Sequence, residues 1–446
     1  MNIIVVVSDS LRKDHLGVYG SEWCRTPRLD RFAEDAIVFE QAFQSSHPTI
    51  PMRTDAFTGR FSFPWHGWQP LDRDVPVMSE MLGDAGYLTM LVADTYHMFK
   101  QGFYFDRGFS GWWWNRGQEG DRFITDPTIP IEFPCDPDLI RQPYPDRYPN
   151  IIRNRAHRQV ETDWFAPGTV THAMQWLERN HSGAPFMLWV DLFDPHEPWD
   201  PPEHYIDMYD PDFDLPNDCD YPVNALQDFL SERELHRTRA RYCAEVTMVD
   251  RWFGNLVDKV DDLGLREDTL VLFMSDHGQY FDYPGDGGLI GKPQTANGRQ
   301  FPMYQSLINV PCIIRPPGGA SGERTDAIVQ APDLLPTFLD LTGAETDAPM
   351  HGTSFADILG DAGVSHREFA VSARHNGVIQ LTDGRHSFAC WPNDIHEPVL
   401  FDLHSDPNQE TNAAADAPEV VDTFRDRLLE FLRGGDAPEA FVENYA

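Results

Sequence analysis

Residues 2–10 read Asn2-Ile3-Ile4-Val5-Val6-Val7-Ser8-Asp9-Ser10. Ile3 to Val7 is an unbroken β-branched run with no polar alternation, the pattern of a strand covered on both faces within a parallel sheet. Asp9 and Ser10 fall at its C-terminal end, where open α/β sheets place their ligands. The same arrangement recurs along the chain. Leu88–Val92 leads to Asp94, Phe186–Leu192 to Asp194-Pro195-His196, and Thr269–Met274 to Ser275-Asp276-His277. Helical patterns lie between these strands. Thr26 and Pro27 suit a cap and a first turn, with Leu29, Phe32, Ala33 and Ala36 at helical spacing behind them. Further helices are expected over Val77–Leu82, Val170–Glu178 and Arg237–Leu263. Helix-then-strand repetition predicts a doubly wound α/β fold: a mixed, mostly parallel sheet flanked by helices, with polar groups gathered along one edge.

Two regions depart from that rhythm. Residues 101–165 are rich in aromatics, Pro, Arg and Asp without a clear period, and read as an irregular insertion within a catalytic domain spanning 1–345. The triplet Trp112-Trp113-Trp114 there either lines a substrate cleft or simply packs the insertion. Beyond residue 345, Phe369–Ser372, Gly377–Leu381 and Ser387–Trp391 are short strands with a turn signal at Asp383-Gly384, and a final helix is expected over Glu419–Leu432. This predicts a small C-terminal α+β subdomain, 346–446.

Composition narrows the function. The 446 residues carry 71 Asp and Glu against 35 Lys and Arg, a formal charge of −36. Aromatics at 12% supply enough apolar surface to exclude a disordered acidic protein. The negative field disfavours nucleic acid and anionic membrane as partners. Only Lys13, Lys100, Lys259 and Lys292 are lysines. A salt-rich, halophilic cytoplasm selects for acidity with scarce lysine; a GC-rich genome explains the missing lysine but not the carboxylate excess. No signal peptide or membrane span is visible, and the six cysteines are scattered, so a cytoplasmic location is expected.

Four stretches carry chemistry: Ser8-Asp9-Ser10, Thr49-Ile50-Pro51-Met52-Arg53, Asp194-Pro195-His196-Glu197-Pro198, and Ser275-Asp276-His277-Gly278 with Lys292 beyond. Asp9, Asp276 and His277 are oxygen and nitrogen donors at strand ends that could surround one divalent metal. A hydroxyl at Thr49 and a guanidinium at Arg53 could meet that metal and an anionic ester.

In this order the stretches resemble the sulfatase family of the alkaline phosphatase superfamily. DSLRKDHLGVYG from Asp9 is similar to the family's opening motif. TIPMRTDAFTGR from Thr49 matches its Cys-x-Pro-Ser-Arg signature with the downstream Thr-Gly-Arg. AGYLTMLVADTYH, DPHEPWDPP, SDHG, NVPCIIRPPG, APDLLPTFLDLTG and LFDLHSDPNQETN resemble later blocks. The resemblance implies metal ligands at Asp9, Asp276 and His277, with Thr49 in the nucleophile position and Ser10 where a further aspartate stands. It implies that Arg53 supports nucleophile and metal, and that His97, His196 and Lys292 bind the ester's oxygens or protonate the leaving group. Thr95 stands where many sulfatases carry Lys, which implies a substrate contact there. Trp114 and Arg116 are candidates to stack on or grip the substrate.

The departure at Thr49 bears on mechanism. Sulfatases convert the signature Cys or Ser to formylglycine, and threonine would give a ketone, so no formylglycine is expected. A phospho-threonine intermediate, in contrast, is hydrolysable, and Thr nucleophiles occur in phosphorus-handling branches of the superfamily. Asp276-His277 in place of Asp-Asn resembles the phosphonate monoester hydrolase and phosphodiesterase branch. The imidazole favours Mn²⁺ or Zn²⁺, with Ca²⁺ the all-oxygen alternative. The expected activity is metal-dependent hydrolysis of a phosphate diester or phosphonate ester, the substrate a small anion with a possible glycan or lipid link. A sulfuric ester hydrolase without formylglycine, a phosphoryl-group transferase and an inactive metal-binding relative are the alternatives.

Overall fold

The computed structural model describes residues 1–141, 147–183 and 185–446. Eight strands form the central sheet: β1 (Asn2–Ser8), β2 (Ile37–Phe43), β3 (Leu88–Ala93), β4 (Gly111–Trp114), β5 (Phe186–Leu192), β6 (Thr269–Ser275), β7 (Cys312–Arg315) and β8 (Glu323–Gln330). Their order across the sheet is β8-β2-β7-β6-β1-β5-β3-β4. Only β7 runs against its neighbours β6 and β2; the other pairings are parallel. The sheet is therefore mixed and mostly parallel, and β1 lies in its middle.

Both faces of β1 are covered. Ile3, Val5 and Val7 belong to one apolar core, Ile4 and Val6 to the other, and all five are fully buried. Each such side chain contributes about 1.5–3 kcal/mol relative to exposure. Helices α1 (Pro27–Ala33), α4 (Phe165–Asn180) and α5 (Glu232–Asp262) supply the second core through Leu29, Val170 and Phe253. Helices α2 (Thr49–Thr58), α3 (Met78–Asp84) and α6 (Leu334–Thr342) supply the first through Met52, Met78 and Phe338. Helix α5 begins well before the expected Arg237. A capping box starts it, with Ser231 Oγ accepting from the Glu234 amide at 3.3 Å and Glu234 Oε2 accepting from the Ser231 amide at 2.9 Å. Thr26 does not cap α1; its Oγ1 accepts instead from the Gly17 amide at 2.8 Å.

The triple tryptophan corrects the irregular reading of this part of the insertion. Residues 111–114 are an ordered edge strand, β4, pairing Leu91 with Trp112 and Ala93 with Trp114. An edge strand presents one open side, so Trp112 remains half-exposed and the triplet shows no period.

The C-terminal region builds a second sheet from β9 (Ala370–Arg374), β10 (Ile379–Thr382), β11 (His386–Cys390) and β12 (Val399–Asp402), backed by α7 (Pro418–Gly434) through Phe424, Leu428 and Leu432. Its far edge is not C-terminal. Ser46 and His47 pair in parallel with Ala373 and Arg374, immediately before α2. All six cysteines are free and buried. Among the described residues no helix is long and apolar enough to cross a membrane.

Candidate active site

The strand ends converge as the sequence predicts. Asp9 and Ser10 follow β1, Asp276 and His277 follow the adjacent β6, and all four are fully buried. Ser10 adopts a left-handed backbone conformation (φ 63°), which turns its amide onto Asp276 Oδ1 at 3.0 Å. The Asp276 carboxylate also accepts from the His277 amide at 2.7 Å. Gly278 fixes the next turn: a Cβ there would lie 1.9 Å from the Ser306 carbonyl oxygen. The Gly278 carbonyl lies 2.9 Å from His277 Nδ1, which leaves Nε2 as the free lone pair.

Thr49 opens α2 at the sheet edge, in the turn whose backbone N–H groups lack helical partners and whose dipole favours anions. Arg53 lies one turn further on the same face. Its Nη1 donates to the Thr49 carbonyl at 3.3 Å and to Asp276, and lies 3.3 Å from Asp9 Oδ2. Its Nε and Nη2 grip Asp191 at 3.2 and 2.9 Å. Arg53 is thus a buried cation held by three buried carboxylates.

Ligand atoms of Asp9, Asp276 and His277 all lie within 4.8 Å of one another. Asp9 Oδ2 and His277 Nε2 are buried without a hydrogen-bond partner among the described residues. Two orphaned donors facing one space in a dry site are what a bound cation would satisfy, so these residues fit a divalent metal. Burial and the neighbouring Asp276 push the Asp9 carboxyl above its ordinary range. Burial acts the same way on Asp276, but His277 and Arg53 outweigh it, and this carboxyl titrates well below the ordinary range. Burial lowers His277 to about 4, so the imidazole is neutral and able to ligate.

A family model described as Sulfatase matches residues 1–344, and one described as N-sulphoglucosamine sulphohydrolase, C-terminal, matches residues 299–433. The chain belongs to the sulfatase family. It is accordingly an ester hydrolase of the alkaline phosphatase superfamily. An arylsulfatase of Clostridium perfringens is 26% identical over 97% of this chain and 94% of its own length. The phosphonate monoester hydrolase of Agrobacterium radiobacter shares the fold, with a TM-score of 0.76 at 20% identity over 97% of this chain and 96% of that one. So does a protein solved in complex with its substrate D-glucosamine-2-N,6-O-disulfate, with a TM-score of 0.73 at 18% identity over 98% and 99% of the two chains.

In this sulfatase-family protein the strand ends open into a cavity of about 1200 Å³. Thr49, His97, His196, His277 and Lys292 all line it. Lys292 spends its three donors on Glu197 Oε2 (2.8 Å), Gln279 Oε1 (2.6 Å) and Ser10 Oγ (3.1 Å). The Ser10 hydroxyl donates in turn to Asp9 Oδ1 at 2.9 Å, so it links the lysine to a carboxylate of the group that fits a metal. His196 stacks on Phe193 at 4.1 Å with Nδ1 2.6 Å from the Glu197 carbonyl oxygen, and burial lowers it to about 3. His97 Nε2 lies 2.9 Å from Glu119 Oε2.

Three expected substrate contacts lie elsewhere. Thr95 is fully buried, and its hydroxyl donates to Asp191, beneath the cavity. Trp114 stacks on Phe99, and Arg116 pairs with Asp121 at 2.7 Å and lies over the Trp114 ring; both face a separate cleft. Conversely, Asp191, Glu119, Glu197, His47 and Arg374 belong to the site without having been singled out. Asp191 had a signal, a lone carboxylate inside an apolar strand. Glu197 sits inside the Pro-flanked motif beside His196. Glu119 and Arg374 had none, because loop and sheet geometry alone carry them there.

Proposed function

We propose that the protein hydrolyses a phosphate diester or phosphonate ester through Thr49. The observation that carries this reading is a threonine, rather than a convertible cysteine or serine, at the start of α2 beside the Asp9–Asp276–His277 group. A divalent metal held by Asp9, Asp276, His277 and Thr49 would supply Lewis-acid polarisation of the ester oxygen and lower the hydroxyl pKa; the imidazole ligand favours Mn²⁺ or Zn²⁺ over Ca²⁺. His97, held by Glu119, takes the Thr49 hydroxyl proton as Oγ1 bonds to phosphorus, and passes it to the alcohol oxygen as the ester P–O bond breaks. Water then breaks the threonine–phosphorus bond. Arg53 holds the nucleophile's helix turn through the Thr49 carbonyl, and Lys292 offsets charge on the reacting group.

Hydrolysis of a sulfuric ester is the second reading, favoured by the arylsulfatase relative. A glycan-linked anionic ester is compatible with either, as the disulfated glucosamine bound by a fold neighbour illustrates. Side-by-side assays of bis(4-nitrophenyl) phosphate, 4-nitrophenyl phenylphosphonate and 4-nitrophenyl sulfate decide. The phosphorus esters are expected to turn over faster, with a phosphoryl adduct on the Thr49 peptide by mass spectrometry, and Thr49→Ala is expected to lose about 10³-fold or more. Faster sulfate turnover, or full activity in Thr49→Ala, overturns the proposal.

A further inference from the structure

Among the described residues, six lysine and arginine side chains and one carboxylate, Glu119, line the cavity. Three of the cations have acidic partners: Arg141 and Lys292 share Glu197 at 2.5 and 2.8 Å, and Arg147 meets Glu119 at 2.6 Å. Lys100, Arg122 and Arg374 have no carboxylate within ion-pair distance among the described residues. Lys100 and Arg122 are exposed to solvent.

Arg374 is different. It ends β9, in register beside His47, and is only partly exposed. Its Nη2 donates to the Lys292 carbonyl at 3.1 Å, while its Nε is buried with no hydrogen-bond partner. Burial lowers it to about 10, so it is still a cation at neutral pH. An uncompensated, partly desolvated guanidinium is unfavourable unless something supplies an acceptor. In a chain with 71 carboxylates, a counter-charge was chemically at hand.

Its position says what the acceptor is for. The His47 ring lies 4.9 Å from the His277 ring, so Arg374 stands beside the residue that flanks the metal-binding group, with the Lys292 backbone against its other side. On the proposed reading the reacting group takes up Thr49, His97 and Lys292, which line the same cavity.

We propose that Arg374 receives a second oxyanion, a carboxylate, sulfate or phosphate, carried on the leaving-group side of the same substrate molecule, so that the substrate is at least a dianion. This rests on the reading of the cavity as an anionic-ester site and is independent of whether phosphorus or sulfur is attacked. Arg suits the role because its planar fork meets an oxyanion with two parallel N–H donors.

The test is calorimetric titration of the intact, metal-loaded protein with phenylphosphonate and with its 2-, 3- and 4-carboxy derivatives. At least one carboxylated isomer is expected to bind about tenfold or more tightly than phenylphosphonate, in line with a charge-assisted bidentate contact. Arg374→Gln is expected to erase most of that gain, and Arg374→Lys to keep part of it. Three results overturn the proposal: no isomer gains over phenylphosphonate, the gain survives in Arg374→Gln, or Arg374→Gln weakens all four ligands by one common factor, which would place Arg374 on the reacting group. Should Arg374→Gln fail to fold by circular dichroism, the wild-type isomer series and Arg374→Lys decide by the same criteria. Failure of the Thr49 reading shows separately, as turnover that survives Thr49→Ala.

Discussion

The floor of the cavity and its rim solve opposite electrostatic problems. On the floor, Arg53 is encircled by Asp9, Asp191 and Asp276, so carboxylates outnumber the cation that joins them. On the rim, Lys100, Arg122 and Arg374 meet no carboxylate among the described residues, although the chain as a whole carries −36. The contacts that converge on Arg53 fix the floor's geometry, because each of its three donor nitrogens meets at least one carboxylate. Unsatisfied charge on the rim leaves free energy for a ligand to recover, and does so where the protein's outer field would repel an anion.

The largest expected effect breaks the floor. Asp191→Ala removes the bidentate grip on Arg53 and leaves its buried Nε and Nη2 without acceptors, which destabilises by about 3–5 kcal/mol. A fall of 100-fold or more in kcat, read beside the shift in denaturant midpoint, is the result on the order of what misplacing a positioning group produces. An unchanged midpoint would show that the three carboxylates do not act together.

Removing the metal comes next. Dialysis against a chelator is expected to abolish turnover and to lower the melting temperature, because a ligand at about 100 times its Kd contributes about 2.7 kcal/mol to the folded state. Mn²⁺ or Zn²⁺ should restore both; restoration by Ca²⁺ alone would mean that His277 does not set metal preference.

An ion pair away from the cavity calibrates the floor. Asp333 is fully buried, pairs with Arg367, and accepts from the amides of Gln330 and Thr353 at 3.0 and 2.9 Å. Burial alone would raise its carboxyl, but Arg367 and His366 prevail and hold it at about 2, against an ordinary 3.8. The folded state therefore binds this proton more weakly than the unfolded chain. The resulting stability, about 2 kcal/mol, is present above pH 4 and is lost as pH falls from about 4 to about 2. Asp333→Asn should lower stability at pH 7 while flattening that acid limb and leaving KM alone. An acid limb as steep as wild type's would assign it to other carboxylates.

The smallest effects belong to the exposed rim. Lys100→Ala and Arg122→Ala should each raise KM a few-fold with stability changed by no more than about 0.5 kcal/mol. The rise should shrink as salt increases through the range where the Debye length falls below about 8 Å. Added salt should also help the wild-type enzyme by screening the outer field; a steady loss of activity from about 0.1 M upward would count against salt adaptation.

The sequence disclosed what is local. The β-branched run of β1, the Asp9 and Asp276-His277 strand ends, and the Thr49–Arg53 spacing each announce their geometry within a few residues. The grip on Arg53 was hidden because Asp191 lies on a neighbouring strand, and nothing in Leu188-Trp189-Val190-Asp191 says which cation it meets. Trp114 and Arg116 resemble a substrate clamp in sequence, yet Arg116 already has Asp121 as its partner. Glu119 reaches His97 only through the path of the insertion, whose residues 142–146 lie outside the described structure. Arg374 was invisible for the same reason: only the pairing of β9 with Ser46-His47 brings it beside the floor.

That pairing has a consequence for how the enzyme is made. A ribosome delivers Ser46, His47 and Thr49 more than three hundred residues before Arg374, so the segment that leads into α2 must wait with an open ladder edge until most of the chain has emerged. The floor is complete only once β6, Asp276 and His277 have emerged, and the wall carrying Arg374 closes about a hundred residues later still. A chain that stops before Arg374 would therefore leave Ser46 and His47 without their strand partner, and the cavity without one of its walls.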